Sequence, residues 1–155
     1  MGRALGNWLE GPQHPKDIPP GVRLGLPAEG PGAVSGFGHR LAAFAVDAVI
    51  ANLLVGVPVL VGVRYSVDAR GLAVYLAFLL QEFILIAANG QTIGMRLVGL
   101  RVIRVSDHGR VGWGWTAVRT VLLGLLVPAF IWDRDQRGTH DRAAGTVIVR
   151  DPVRA

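Results

Sequence analysis

Between Arg40 and Arg64 the chain runs for twenty-three residues, LAAFAVDAVIANLLVGVPVLVGV, in which Asp47 alone is ionisable. A membrane-crossing helix needs about 20 mostly apolar residues at roughly 1.5 Å rise each, so Leu41 to Val63 is predicted to span with some tilt. After a connector from Arg64 to Arg70, Gly71 to Ala88 (GLAVYLAFLLQEFILIAA) gives a second span, which contains Gln81 and Glu82. The polar stretch Asn89 to Gly112 follows, with four arginines. Within it Val98, Leu100 and Val102 alternate and Ser106 to Gly109 reads as a turn, which predicts a short strand and a bend. The β-branched run Thr146 to Val149 is its candidate partner. A third apolar segment is uncharged only over the thirteen residues Thr120 to Trp132 and contains Pro128. That is too short to cross unless Arg119 is buried, so a half-helix or interfacial element is expected, with Trp113, Trp115 and Trp132 as interfacial anchors. Residues 1–36 hold six of the nine prolines and eight glycines without a long apolar run, and are read as a disordered, solvated arm with no signal-peptide core.

The two acids can be placed relative to one another. Spans joined by a short loop run antiparallel, so Asp47, near the start of the first, and Glu82, near the end of the second, both lie about 10 Å below one membrane face. Such acids need a partner. Two like charges at one level cannot both ionise cheaply, so either a proton or cation is shared there or an arginine intervenes. Glu82 also shares a face with Tyr75 and Asn89, each seven residues away.

Composition narrows the function classes. Hydrophobic residues make up 51% of the 155, charged residues only 17%, and mean hydropathy is +0.42, which suits a small membrane protein. The net charge is +5, but the basic residues flank apolar segments rather than gather with stacking aromatics, so anionic lipid headgroups are the expected counter-charge and nucleic acid is not. Fifteen of the sixteen basic residues are arginine, which suggests a GC-rich bacterial genome. The chain has no cysteine, which excludes disulfides and thiolate metal sites. If the third segment does not cross, thirteen Arg/Lys lie on one side and two on the other, with Arg119 uncounted; three crossings leave almost no bias. Two spans with both termini cytoplasmic are therefore preferred.

The residues GHRLAAFAVD, with Arg40 and Asp47, resemble the RDD family of membrane proteins, named for an arginine at the start of the first helix, an aspartate within it and a second aspartate later on. GQTIGMRLVGLRVI after the second span, VRT around Arg119 and the ending RGTHDRAAGTVIV are also similar to the family's pattern, which implies Asp141 as the second aspartate. The resemblance covers about residues 36–150, and the third segment is short for the family. It implies a membrane protein for which transport of unknown ligands has been suggested, with sodium/proton exchange linked to some members.

Each polar residue carries a plain reading beside the sharp one. Arg40 either snorkels to lipid phosphates or pairs with Asp141, which could itself cap a helix or turn. Asp47 and Glu82 serve as interhelical glue with Arg119 as counter-ion, or as an ion or proton site. Gly90 and Gly94 form GxxxG in a polar stretch, read as loop, and His14, His39, His108 and His140 show no ligand spacing.

The predicted architecture is an all-α integral membrane protein with two to three transmembrane helices, a small cytoplasmic β-pair and a disordered arm. Residues 1–36 form the arm, 37–150 the membrane domain (helices 41–63 and 71–88, short segment 113–132) and 151–155 a tail. The expected function is a non-enzymatic accessory or assembly subunit of a larger complex in the bacterial plasma membrane, with Ala43, Ala48, Ala51 and Gly56 suited to close helix packing. The alternative is a small oligomeric cation or proton transporter. Other membrane subunits or a second copy are the expected partners, and no cofactor or metal is expected.

Overall fold

The computed structural model describes residues 18–125, 133 and 135–152. Helix α1 (Phe37–Leu60) and helix α2 (Val67–Asn89) are the long elements, joined by a connector over 61–66. Both are apolar and long enough to cross a membrane, and most of the apolar stretch of each is uncovered by the rest of the chain. A core helix of a soluble protein would be mostly covered, so these outward faces fit lipid. Helix α1 begins and ends a little before the predicted 41–63. Past Pro58, Val61 and Gly62 bond back to the carbonyls of Pro58 and Val59 in tighter turns, and Gly62 at φ 94 turns the chain out. Ser66 caps α2, accepting from Ala69 N at 3.2 Å, and Gly90 at φ 73 ends it.

The polar stretch after α2 is more ordered than its composition suggested. A short helix α3 (Ile93–Val98) precedes strand β1 (Leu100–Arg104), and Thr92 caps α3 by accepting from Met95 N at 3.0 Å. The loop reading of Gly90 and Gly94 is therefore corrected: Gly94 is a helical residue pressed against α1. Helix α4 (Trp113–Gly124) is twelve residues, about 18 Å, against the roughly 30 Å of a hydrocarbon core. Trp113 and Trp115 are exposed at its start, and Pro128 and Trp132 lie outside the described residues. A one-turn helix α5 (Thr139–Ala143) leads into strand β2 (Thr146–Arg150). The strands pair antiparallel, with Val102 opposite Ile148, as the alternation at Leu100 and Val102 and the run Thr146–Val149 predicted, while Val98 of that alternation falls in α3.

Residues 18–36 require a second correction. The reading of 1–36 as a disordered arm fails over 18–36, which are folded onto β2, and its remainder, 1–17, lies outside the described residues. Ser35 N donates to Ile148 O, Gly32 N to Arg150 O and Arg150 N to Ala33 O, each at 2.9 Å, and Val34 bridges Val149. Proline and glycine make this segment irregular, but Leu24, Leu26 and Val34 still pack on Val147 and Val149.

Two apolar clusters hold the helices. Ala43, Ile86, Met95, Leu100 and Ile148 join α1, α2, α3 and the strands, while Ala51, Phe78 and Leu123 join α1, α2 and α4. Ala43 and Ala51 are thus spent on the chain's own packing. The expectation that they present a face to a partner is corrected, and of the four small residues named only Gly56 sits in open space.

Candidate functional site: a buried cluster of arginines and carboxylates

Asp47 lies two turns beyond Arg40 on the inner face of α1, and only 1% of it is exposed. Its carboxylate faces the start of α3: Oδ1 accepts from Gly94 N at 2.8 Å and Oδ2 from the Thr92 hydroxyl. The free N–H groups at a helix start favour an anion, so Asp47 is stabilised by hydrogen-bond donors rather than paired with a cation. The fit is close enough that a Cβ on Gly94 would overlap the Ala43 carbonyl oxygen and lie 2.7 Å from Asp47 Oδ2. From α2, Gln81 Nε2 donates to the backbone oxygen of Asp47 at 2.7 Å.

Arg119, on the inner face of α4, is 2% exposed and bridges two acids. Its Nε donates to Asp141 Oδ1 at 2.8 Å and its NH1 to Glu82 Oε2 at 3.4 Å. The expected pairing of Arg119 with Glu82 is present. Its expected service to Asp47 as well is corrected, since Asp47 bonds to Thr92 and Gly94. An arginine therefore intervenes at Glu82, and a helix terminus answers Asp47.

Asp141 is fully buried where α5 meets β2. Thr146 Oγ1 donates to its Oδ1 at 3.1 Å, and Arg40 NH1 and His140 Nε2 stand 3.7 and 3.5 Å from Oδ2. Arg40 does not snorkel outward. It is 8% exposed, with Nε donating to Ser35 O at 3.0 Å and NH2 to Ile148 O at 3.3 Å, so it ties the start of α1 to the folded N-terminal segment and to β2. Glu82, Arg119, Asp141 and Arg40 thus form one chain of charges from α2 through α4 and α5 to α1.

Outside the spans two groups are strongly shifted. Burial pushes the Asp141 carboxyl up, but Arg119 outweighs it, with His140 and Arg40 adding to the pull, and the group is held at about 2. Burial pushes His140 down to about 4; Asp141 opposes this, while Arg119 and Arg40 reinforce it. His140 is therefore neutral at pH 7, and the histidine reading missed its place beside Asp141 because adjacency in sequence carries no ligand spacing. The unfolded chain takes up this proton near 6.5 and the folded one only near 4. His140 thus costs no stability above about 6.5 and destabilises the fold progressively as pH falls toward 4, by roughly 1–3 kcal/mol at full effect. Thermal unfolding of the detergent-solubilised protein should show the wild type losing stability relative to His140→Asn between pH 7 and 4.5. Equal pH dependence of the two would refute this.

The cluster borders a cavity of about 160 Å³, lined by Arg40, Asp47, Glu82, Arg119, His140 and Asp141 together with apolar residues that include Phe37, Leu41, Phe44 and Leu123. Asp141 Oδ2 and His140 Nδ1 are buried with no hydrogen-bond partner among the described residues. The model of the RDD family matches residues 34–145, a span that holds every residue of the cluster. The chain belongs to the RDD family. No curated protein and no solved structure matches it. In this RDD chain the arginine of α1 and the aspartate of α5 are neighbours in space, while the aspartate of α1 faces α3. Thr92, Gly94, Gln81 and His140 complete the site without having been assigned to it from the sequence.

Proposed function

We infer that this RDD membrane protein is a non-enzymatic accessory or assembly subunit of the bacterial plasma membrane, with its N-terminus cytoplasmic, that packs against other membrane proteins. The observation that carries this reading is the contrast between the two sides of its spans. Inside, Asp47, Glu82 and Arg40 are engaged by hydrogen bonds or ion pairs within the chain. Outside, large apolar residues such as Leu53, Val57, Leu76 and Leu80 are uncovered. Charges tied up in this way fix a shape more readily than they conduct, and uncovered spans offer packing surface. The exposed arginines beside the spans suit anionic headgroups. Gentle extraction from the native membrane at native abundance tests the reading: a larger complex should co-purify in fixed stoichiometry, and recovery of this chain without other proteins would count against it.

A second reading, cation or proton transport by an oligomer, is favoured by the cavity, where three carboxylates meet two guanidinium groups and leave one negative charge over. Asp47→Asn separates the two. As glue, Asp47 accepts from two donors on its two oxygens; asparagine has one acceptor oxygen and its NH2 would face a donor, so stability should fall by about 1–3 kcal/mol. Abundance and melting temperature check that outcome. A proton or cation flux in reconstituted vesicles, lost in Asp47→Asn at unchanged melting temperature, would put transport first.

A further inference from the structure

One polar residue of the spans stands apart from the cluster. Asn52 lies twelve residues from Arg40 and twelve from Arg64, midway along the apolar run, and it faces outward from the fold. One amide proton is used on its own helix, donated to Ala48 O at 3.1 Å. Its side-chain oxygen and second amide proton have no partner among the described residues. An amide facing hydrocarbon at mid-depth is costly, because lipid chains offer nothing to bond with.

We propose that the α1 face carrying Ala45, Val49, Asn52 and Gly56 binds a second copy of this chain, with Asn52 bonded to Asn52 across a two-fold axis normal to the membrane. Three features select this occupant. A carboxamide is both donor and acceptor and is therefore its own complement. Two copies inserted the same way place identical residues at identical depth, so the mid-depth amide of each meets that of the other. The spacing of four, three and four residues keeps the four positions on one face, in the rhythm of a left-handed helix pair. Sterics agree. Ala45, Val49 and Asn52 are exposed, and a Cβ on Gly56 would meet nothing within 4 Å, so a second backbone can approach closely there. No charged side chain lies on this face, which gives an ionic partner nothing to address.

The natural chain has no cysteine, so single cysteines report on this contact directly. Ala45→Cys, Val49→Cys and Gly56→Cys, oxidised in native membranes with copper phenanthroline, should each give a disulfide-linked pair of this chain. Phe44→Cys and Val57→Cys, exposed on either side of the face, should give few. In labelled protein reconstituted in vesicles, energy transfer should show the pair weakened by about 3- to 30-fold in Asn52→Leu and largely kept in Asn52→Gln. Equal crosslinking at the flanking positions, no crosslinking on the face, or an Asn52→Leu protein that pairs like the wild type would overturn the proposal, as would an adduct with a protein of another mass. These outcomes are independent of the accessory role, since a pair can form whether or not a larger complex co-purifies.

Discussion

Arg119→Met should lower stability by about 3–5 kcal/mol, the largest effect expected of any single change in the charge cluster. The size of the effect comes from what the substitution leaves behind. Arg119 is 2% exposed and bonds to Asp141 at 2.8 Å and Glu82 at 3.4 Å, both of which are themselves buried. Without the guanidinium these carboxylates keep their desolvation cost and lose the charge that offsets it. Asp141 retains Arg40 and Thr146, but Glu82 has no other cation within ion-pair distance among the described residues. Lysine is a poor replacement, because a single ammonium cannot reach two acids on different elements as a planar fork does. Glu82→Gln should cost less than Arg119→Met, since Arg119 then still pairs with Asp141. The double change should cost less than the two singles together, by at least about 0.5 kcal/mol, because Glu82→Gln removes one of the charges that Arg119→Met strands. Melting temperatures of the four proteins in one detergent measure this cycle, and strict additivity would mean that the 3.4 Å contact carries no coupling.

The same residues show which parts of the fold could be read from the chain. Both long helices were legible because apolar runs of that length admit few other structures, and the strand pair was legible from an alternating stretch and a β-branched run. Glu82 with Arg119 followed from the need of a buried charge for an opposite one, whereas Asp141 came to Arg40 through the resemblance to the RDD family, beside an outward reading of Arg40 that its burial overturns. Asp47 escaped because its answer is not a charge. It is a pair of donors at the start of a six-residue helix, and neither the helix nor its contact with α1 leaves a hydrophobic period in so short a segment. Residues 18–36 were misread for a related reason. Proline and glycine forbid regular structure, but they do not forbid an extended segment from hydrogen-bonding to β2 when Leu26 and Val34 have an apolar surface to cover. The partnership of Asp141 with His140 could not be read at all, since it depends on burial where α5 turns into β2.

Gly94→Ala should lower stability by an amount at the upper end of about 1–3 kcal/mol, through overpacking at the α1–α3 contact. Alanine is ordinarily the better helix former, by about 0.8–1.0 kcal/mol in a helix interior, so local propensity predicts the opposite sign. Packing decides the outcome. The added Cβ would overlap the Ala43 carbonyl oxygen and approach Asp47 Oδ2 to 2.7 Å, so α3 must move away from α1. That movement breaks the 2.8 Å bond from Gly94 N to Asp47 Oδ1 and strains the Thr92 contact, removing the donors that make a buried aspartate tolerable there. Because the main obstruction is backbone, Ala43→Gly should not rescue the variant. Gly71→Ala is the matched control: Gly71 lies inside α2, a Cβ there meets nothing within 4 Å, and the change should be neutral or stabilising by about 0.5–1 kcal/mol. Thermal unfolding and steady-state abundance of the two variants decide the matter. If Gly94→Ala matched Gly71→Ala, α3 would not seat against α1 at Asp47, and the Gly94 and Thr92 donors would not be what stabilises that carboxylate.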